Sequence, residues 1–248
     1  VLIKLLIKKV PISSKMSYLI AIGTSVCGAT AIVAIAPIIQ AKKTEVAYAI
    51  ANITLFGVIA MLVYPYFAEW YFHNEALHVG LFLGTAIHET SQVAAAGLIY
   101  DQQFNSPETL NVATVTKLIR NTFLVVMIPL FAFLYNRGGV KNKSYSILNI
   151  FPYFVLGFIG MIIARNIGDQ IFTIESGNYE IWKIFINYIK SLATVFLTMA
   201  MAAVGISINL SELKSMGYKP FVVGLIAAVT VGIVSIITIQ YFIKIFIV

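Results

Sequence analysis

The chain has 248 residues, of which 60% are hydrophobic and 11% are charged, and its mean hydropathy is +0.91. Because a soluble domain carries about 25% charged residues, this composition excludes an ordinary soluble protein and indicates an integral membrane protein. The formal net charge of +7 fits basic cytoplasmic loops better than a nucleic-acid surface, since lysine and arginine do not cluster with aromatic residues. We therefore expect the lipid bilayer, and no nucleic acid, as a partner.

Long apolar segments predict an all-α polytopic helix bundle. Since a transmembrane helix needs about 20 mostly apolar residues, we predict about seven spans. They cover residues 18–41, 46–67, 77–100, 117–135, 147–165, 188–208 and 221–246. The loops are short, so residues 1–248 are expected to form a single transmembrane domain. Because the chain opens inside an apolar run, we also expect it to be the C-terminal portion of a longer transporter.

Lysine and arginine in the loops predict the orientation, because cytoplasmic loops carry an excess of them. With simple alternation of the spans, one side receives Lys4, Lys8, Lys9, Lys15, Arg137, Lys141, Lys143, Lys214 and Lys219. The other side receives Lys42, Lys43, Lys244 and the mixed loop 165–183. We place the first, richer side in the cytoplasm, together with loop 69–75.

A run of small residues interrupts the first predicted span. Eight of the nine residues at 23–31 are small and two of them are glycines. Glycine lowers helix stability, and hydroxyl side chains compete for backbone hydrogen bonds. We therefore predict a helix that breaks in mid-membrane, where many transporters bind substrate. A small-residue face for close helix packing is the alternative. The candidate substrate-binding residues are Gly23, Thr24, Ser25, Cys27, Gly28 and Thr30.

Polar residues also lie in the middle of the third predicted span, at His88, Glu89 and Gln92. Ionisable residues at that depth are costly and usually face the interior of a bundle. On a helix the three would share one stripe, since they are three and four positions apart. We expect them to carry a coupling proton or ion; a structural pair that ties two helices together is the alternative.

Residues 23–30 are echoed by residues 84–91, and each copy precedes an alanine-rich run. Internal repeats of this kind are common in transporters, although small residues also match by chance. The fourth predicted span opens with Lys117 and Arg120, which share one face. For Lys117 we favour snorkelling to the headgroups. For Arg120, snorkelling and a position inside the bundle, where it could meet Glu89 or an anionic substrate, are equally open.

An intramembrane enzyme is the alternative of another class. Cys27 or Ser25 could pair as nucleophile with His88 as base, but no third orienting group is evident. A zinc-protease motif is missing because Gln92 stands where a second histidine would be. We expect no cofactor and no metal.

At these residues the sequence resembles the YeiH family of proposed sulfate exporters. The motifs lie at 23–31, 36–37, 54–57, 60–61, 64–65, 84–89, 92–97, 117–120 and 199–205. Thr24 and Thr30 differ, since many members have serine there. The resemblance implies N-terminal spans that precede this chain. It also implies a fold like that of bile-acid and sodium–proton antiporters, with inverted repeats and broken helices that cross at mid-membrane.

These observations together predict a multi-pass secondary transporter of the bacterial inner membrane. It would export a small sulfur-containing anion such as sulfate, sulfite or a sulfonate, coupled to a proton. Half-helix N-termini near residues 23–30 would hold the anion, with help from Arg120. A sodium-coupled carrier of an organic anion remains the alternative, and a homodimer remains open.

Overall fold

The structure is a computed structural model that describes residues 12–136, 154–173, 178–207 and 217–246. The secondary structure in these residues is entirely helical, as predicted. In chain order the helices are α1 (Ser14–Ser25), α2 (Ala29–Ile35), α3 (Lys43–Phe72), α4 (Ala76–Ala86), α5 (Thr90–Phe104), α6 (Pro107–Thr122), α7 (Leu124–Asn136), α8 (Phe154–Ile171), α9 (Tyr179–Ser207) and α10 (Tyr218–Phe246).

Three stretches among the described residues are long and apolar enough to cross a membrane: Lys43–Phe72, Pro107–Tyr135 and Tyr218–Ile243. The first and third run side by side in the same direction. Asn52 Nδ2 donates to the carbonyl of Pro220 at 2.9 Å near their starts, and Gln240 Nε2 donates to the Tyr71 hydroxyl at 2.5 Å near their ends. The prediction of about seven spans is not confirmed, and parts of the predicted spans 147–165 and 188–208 lie outside the described residues.

Helices α1 and α2 fold back on each other. The Lys15 ammonium, at the start of α1, donates to the carbonyl of Gln40, just after α2, at 2.6 Å. These residues are 25 positions apart, so one continuous helix would separate them by about 37 Å. The Ser13 hydroxyl also donates to Glu45 Oε1 at 2.5 Å, next to the start of α3. Residues 14–35 therefore form a re-entrant hairpin, which we call hairpin 1, based at the end where α3 begins.

Helices α4 and α5 form a second re-entrant hairpin, which we call hairpin 2. The Tyr100 hydroxyl, near the end of α5, donates to Glu69 Oε2 at 2.5 Å and lies 3.3 Å from Asn74 Oδ1, just before α4. Tyr100 and Asn74 are 26 positions apart, which would be about 39 Å along one helix. Hairpin 2 is therefore based at the end where α3 finishes, opposite hairpin 1.

A hairpin followed by a long helix thus occurs twice, in opposite orientations. Hairpin 1 precedes α3, and hairpin 2 precedes the continuous stretch of α6 and α7. The end of α7 returns to hairpin 1, where the ring of Tyr135 packs edge-to-face on that of Tyr18 with ring centroids 5.3 Å apart. The interrupted helices and inverted repeats that the sequence predicts are confirmed. Residues 18–41 and 77–100, however, are hairpins and not complete crossing spans, because each interruption reverses the chain.

The hairpins also change where the charged residues lie. Lys42 and Lys43 share an end with Lys15, because hairpin 1 returns to the end from which it starts. The predicted separation of Lys42 and Lys43 from Lys15 is therefore wrong, as is the placement of loop 69–75 beside Lys15. One end, which we call the basic end, carries Lys15, Lys42, Lys43 and Lys219. The other, which we call the acidic end, carries Glu69, Glu75, Asp101 and Glu108.

Local sequence signals explain the ends of these helices. The Ser13 hydroxyl caps α1 by accepting the Met16 N–H at 3.0 Å, and Glu45 Oε2 accepts the Lys42 N–H at 3.0 Å in the first turn of α3. Pro107 opens α6, where its missing N–H costs nothing. Each hairpin buries its own apolar cluster, around Ile20 and Ile32 in hairpin 1 and around Phe82 and Val93 in hairpin 2.

Helices α8 and α9 belong to a second compact unit, Phe151–Ser207. Within it, Asp169 accepts hydrogen bonds from Arg165 Nε and from Trp182 Nε1, both at 2.7 Å. Phe172 stacks on Trp182 with ring centroids 5.2 Å apart. These contacts join the end of α8 to the start of α9.

Candidate functional site

Each hairpin reverses in three residues, which we call tip 1 (residues 26–28) and tip 2 (residues 87–89). In tip 1, Gly28 has φ 64° and ψ −126°, a conformation that only glycine adopts readily. The first helix of each hairpin, α1 or α4, also ends with hydroxyl side chains that donate to the carbonyl four residues earlier. These side chains are Thr24, Ser25 and Thr85, each at 2.6 Å from its acceptor. Such bonds bend helices, so the small polar residues of the sequence account for both interruptions. The two tips lie at equivalent places in the weak internal repeat.

Lys117 joins the two tips. Its side chain is fully buried, and Nζ donates to the carbonyls of Val26 at 2.9 Å, of Ile87 at 3.0 Å and of His88. All three N–H groups of the ammonium therefore have backbone acceptors. The preference for snorkelling to the headgroups is wrong, because the face that Lys117 shares with Arg120 points into the protein.

Arg120 makes a second connection between the tips. Nη2 donates to the carbonyl of Thr24 at 2.6 Å and Nε to that of Ser25 at 3.1 Å, both in hairpin 1. Nη1 donates to the carbonyls of Thr85 at 2.6 Å and Ile87 at 3.3 Å, both in hairpin 2. These acceptors lie at the C-terminal ends of α1 and α4, where the helix dipole favours a cation. Of the five guanidinium N–H groups, one on Nη2 remains for another partner.

Glu89 lies against the other side of tip 1. The residue is 7% exposed, and its carboxylate accepts the Thr54 hydroxyl at 3.2 Å through Oε1 and faces the Ala29 N–H at the start of α2. A Cβ at Gly28 would lie 2.6 Å from Glu89 Cγ, so the glycine allows this close approach. The end of the short helix α2 that we expected to hold an anion is thus occupied by the Glu89 carboxylate.

Gln92 and Glu89 both form hydrogen bonds with Thr54. Gln92 Nε2 donates to the Thr54 carbonyl at 3.2 Å, while Oε1 is buried with no hydrogen-bond partner among the described residues. Gln92 lies in α5, but His88 and Glu89 precede that helix in tip 2. The predicted helical stripe of His88, Glu89 and Gln92 is therefore wrong, because the helix is interrupted where the polar residues begin.

The catalytic pair that we considered does not form. The Ser25 hydroxyl donates to the carbonyl of Ala21, and the buried Cys27 thiol faces Thr30 and Ala31. No hydrogen bond joins His88 to Cys27 or Ser25 in the residues that the structure describes. His88 is 2% exposed, and its buried Nδ1 has no hydrogen-bond partner within the part of the chain that the structure describes.

A cavity of about 350 Å³ lies beside Arg120. Its polar lining comes from Arg120 and from hydroxyl residues of hairpin 1, hairpin 2 and α10: Ser25, Thr85, Thr230, Ser235 and Thr238. The hydroxyls of Thr85 and Ser235 are 2.5 Å apart and connect hairpin 2 to α10. A small polar molecule in this cavity would lie against Arg120.

The structure thus divides the predicted site residues among different roles. Thr24, Ser25 and Arg120 meet near the cavity, and Gly28, Glu89 and Gln92 meet around Thr54. Gly23 packs against Ile32 and Ile53, as the close-packing alternative expected, and Thr30 is exposed on α2. Sequence reasoning missed Lys117, Thr85 and Ser235. Only Lys117 gave a signal, since it shares a helix face with Arg120 and Asn121.

Comparison with known proteins gives the family. Residues 1–224 match the family described as conserved hypothetical protein 698. The chain is 35% identical over 239 residues to a UPF0324 membrane protein of Fusobacterium nucleatum, covering 94% of this chain and 68% of that one. It is 36% identical over 217 residues to one of Streptococcus agalactiae, covering 87% of this chain and 61% of that one.

A UPF0324 membrane protein of Clostridium tetani is 32% identical over 235 residues, covering 89% of this chain and 63% of that one. The chain therefore spans about two thirds of the length of these curated relatives. No solved structure matches it. The chain belongs to the UPF0324 family of membrane proteins, the YeiH-like family that its motifs indicated.

Proposed function

We propose that the chain forms the carrier region of a proton-coupled secondary transporter that exports a small sulfur-containing anion across the bacterial inner membrane. The observation that carries this proposal is that Lys117 and Arg120 meet the tips of two inverted hairpins, and that Arg120 borders a cavity partly lined by hydroxyl residues. Interrupted helices that meet between inverted repeats are the usual substrate sites of secondary transporters.

The charge balance favours an anion as the substrate. Neither Lys117 nor Arg120 is in an ion pair; the described residues contain only the pairs His78–Glu75 and Arg165–Asp169. The described residues around the two tips therefore carry two cations, Lys117 and Arg120, and one carboxylate, Glu89. The remaining Nη2–H of Arg120 is the kind of donor that binds an oxyanion, whereas the hydroxyls of Ser25, Thr85 and Thr230 already donate to backbone carbonyls.

Glu89 is the candidate for the coupling proton. Its carboxylate is buried, receives one side-chain hydrogen bond from Thr54 and has no salt bridge within the described residues. A buried carboxyl group without a counter-ion can exchange a proton at modest cost, and such groups serve as proton relays in transporters. Because Glu89 packs on Gly28, a change in its charge acts directly on the contact between the tips.

The test is anion flux into proteoliposomes that contain the full-length protein. Labelled sulfate, sulfite and a sulfonate are offered under a proton gradient and under a sodium gradient. We expect proton-driven flux that falls at least about a hundredfold in Glu89→Gln, the low end of typical proton-transfer contributions to rate. The exposed Glu108→Gln, with the same chemical change on α6, should keep wild-type flux.

Other outcomes are equally informative. Flux unaffected by Glu89→Gln would leave Glu89 with a structural role only. Absence of flux with all three anions would remove the sulfur-anion assignment. Flux that follows the sodium gradient would favour the second candidate, a sodium-coupled carrier. That candidate is supported by the buried Oε1 of Gln92, which lies near Glu89 and Thr54 and has no hydrogen-bond partner in the described ranges.

A further inference from the structure

Three backbone carbonyl oxygens converge on one point between the hairpin tips. They belong to Val26 in tip 1 and to Ile87 and His88 in tip 2. Each follows the C-terminal end of α1 or α4, where the helix dipole is negative. Unwound carbonyls at half-helix C-termini also coordinate coupling cations in transporters with discontinuous helices. The point should therefore favour one positive charge.

In this chain the Lys117 ammonium occupies that point. The side chain is fully buried, and each N–H has a carbonyl acceptor. No carboxylate lies within 4 Å of it among the described residues. Buried charges are normally paired, so the carbonyls and helix dipoles must supply the stabilisation that a counter-ion would otherwise give.

We propose that the tip carbonyls form a binding site for one monovalent cation and that the Lys117 side chain is its built-in occupant. The two hairpin tips are then held together without a dissolved sodium or potassium ion. This inference rests on the geometry of the tips and not on the proposed transport. A negative flux experiment would therefore not contradict the proposed cation site. Likewise, a negative test of the cation site would not contradict the proposed transport.

Removing the side chain should uncover the site. Lys117→Ala keeps Cβ and deletes three methylenes and the ammonium, a fragment that matches propylammonium. We measure the melting temperature Tm of the full-length protein in choline chloride, sodium chloride, propylammonium chloride, and choline chloride with 1-propanol, at equal ionic strength. Propanol has the same shape without the charge. Lys43→Ala, at an exposed position of α3, is the matched control.

We expect Lys117→Ala to lose about 5 °C or more in choline chloride, because three buried carbonyls lose their donors. Propylammonium should restore most of that loss, and propanol should restore little. A rise in sodium chloride as well would extend the site to metal cations. Lys117→Met fills much of the space without a charge, so it should stay destabilised in every solution. Wild type and Lys43→Ala should not distinguish the cations.

The proposal is overturned if propylammonium and propanol restore Lys117→Ala equally, since the side chain would then only fill space. It is also overturned if propylammonium raises the Tm of Lys117→Ala no more than that of Lys43→Ala. Should Lys117→Ala fail to fold in choline chloride, the yield of folded protein extracted in each solution replaces Tm. The same comparison between propylammonium and propanol then decides.

Discussion

Gly28 is the residue where a single methyl group tests the contact between the hairpins. Its φ of 64° and ψ of −126° suit glycine alone, and an added Cβ would lie 2.6 Å from Glu89 Cγ. Gly28→Ala therefore imposes two separate costs. One is backbone strain within hairpin 1, and the other is a collision with hairpin 2.

The two costs can be estimated separately. A side chain held in a glycine-only region costs about 1–3 kcal/mol. Overpacking of a buried contact costs about 1–3 kcal/mol, so Gly28→Ala should destabilise the protein by about 2–6 kcal/mol. Gly217 also has a positive φ, of 75°, but a Cβ there would meet nothing within 4 Å. Gly217→Ala should therefore show the strain without the collision.

The assay is thermal unfolding of the purified full-length variants, in which each kcal/mol shifts Tm by about 2–4 °C for a chain of this size. We expect Gly28→Ala to melt at least about 2–4 °C below Gly217→Ala, since the collision adds at least about 1 kcal/mol. In a Glu89→Ala background, which removes Cγ, the cost of Gly28→Ala should fall to the strain alone. An equal cost of Gly28→Ala in both backgrounds would refute the close contact between Gly28 and Glu89.

Three further predictions follow from the cavity. Thr85→Ala and Ser235→Ala should show a coupling of about 0.5 kcal/mol or more in a double-mutant cycle of thermal stability, because their hydroxyls are 2.5 Å apart; additive effects would contradict the hydrogen bond. Ser25→Cys should react with a water-soluble thiol reagent in intact-mass spectrometry, while the buried Cys27 stays unmodified; labelling of Cys27 would contradict its burial. Arg120→Lys should lose most of the anion flux, since an ammonium has only three donors for the four carbonyls that bind Arg120; wild-type flux would show that the guanidinium is not needed.

The sequence predicted the break at residues 23–31, but neither the second break at residues 87–89 nor where the chain goes next. Gly28 and the neighbouring hydroxyls indicated the interruption, because their effect on a helix is local. The reversal depends on contacts such as Lys15 with Gln40, which are 25 positions apart. Residues 18–41 are also long enough to cross a bilayer, so apolar length alone favoured a span.

The candidate site was predicted in a similar, partial way. Glu89 and Gln92 lie inside the protein, as expected, because polar groups in apolar segments rarely face lipid, whereas snorkelling and an interior role had been equally open for Arg120. Lys117 was not expected there, because a lysine near a span end can reach the headgroups equally well. Its burial depends on the Val26 carbonyl, 91 positions earlier, and no local pattern encodes that contact.

The distance in sequence between the tips and their cations has a consequence for biosynthesis. Arg120 binds the Thr24 carbonyl across 96 positions, so hairpin 1 is synthesised well before the groups that complete it. Until then its carbonyls lack donors, which costs several kcal/mol per group in lipid. We expect hairpin 1 to remain at the membrane surface or inside the insertion machinery until α6 has been synthesised. Insertion of α6 is then the step that commits both hairpins to the bilayer.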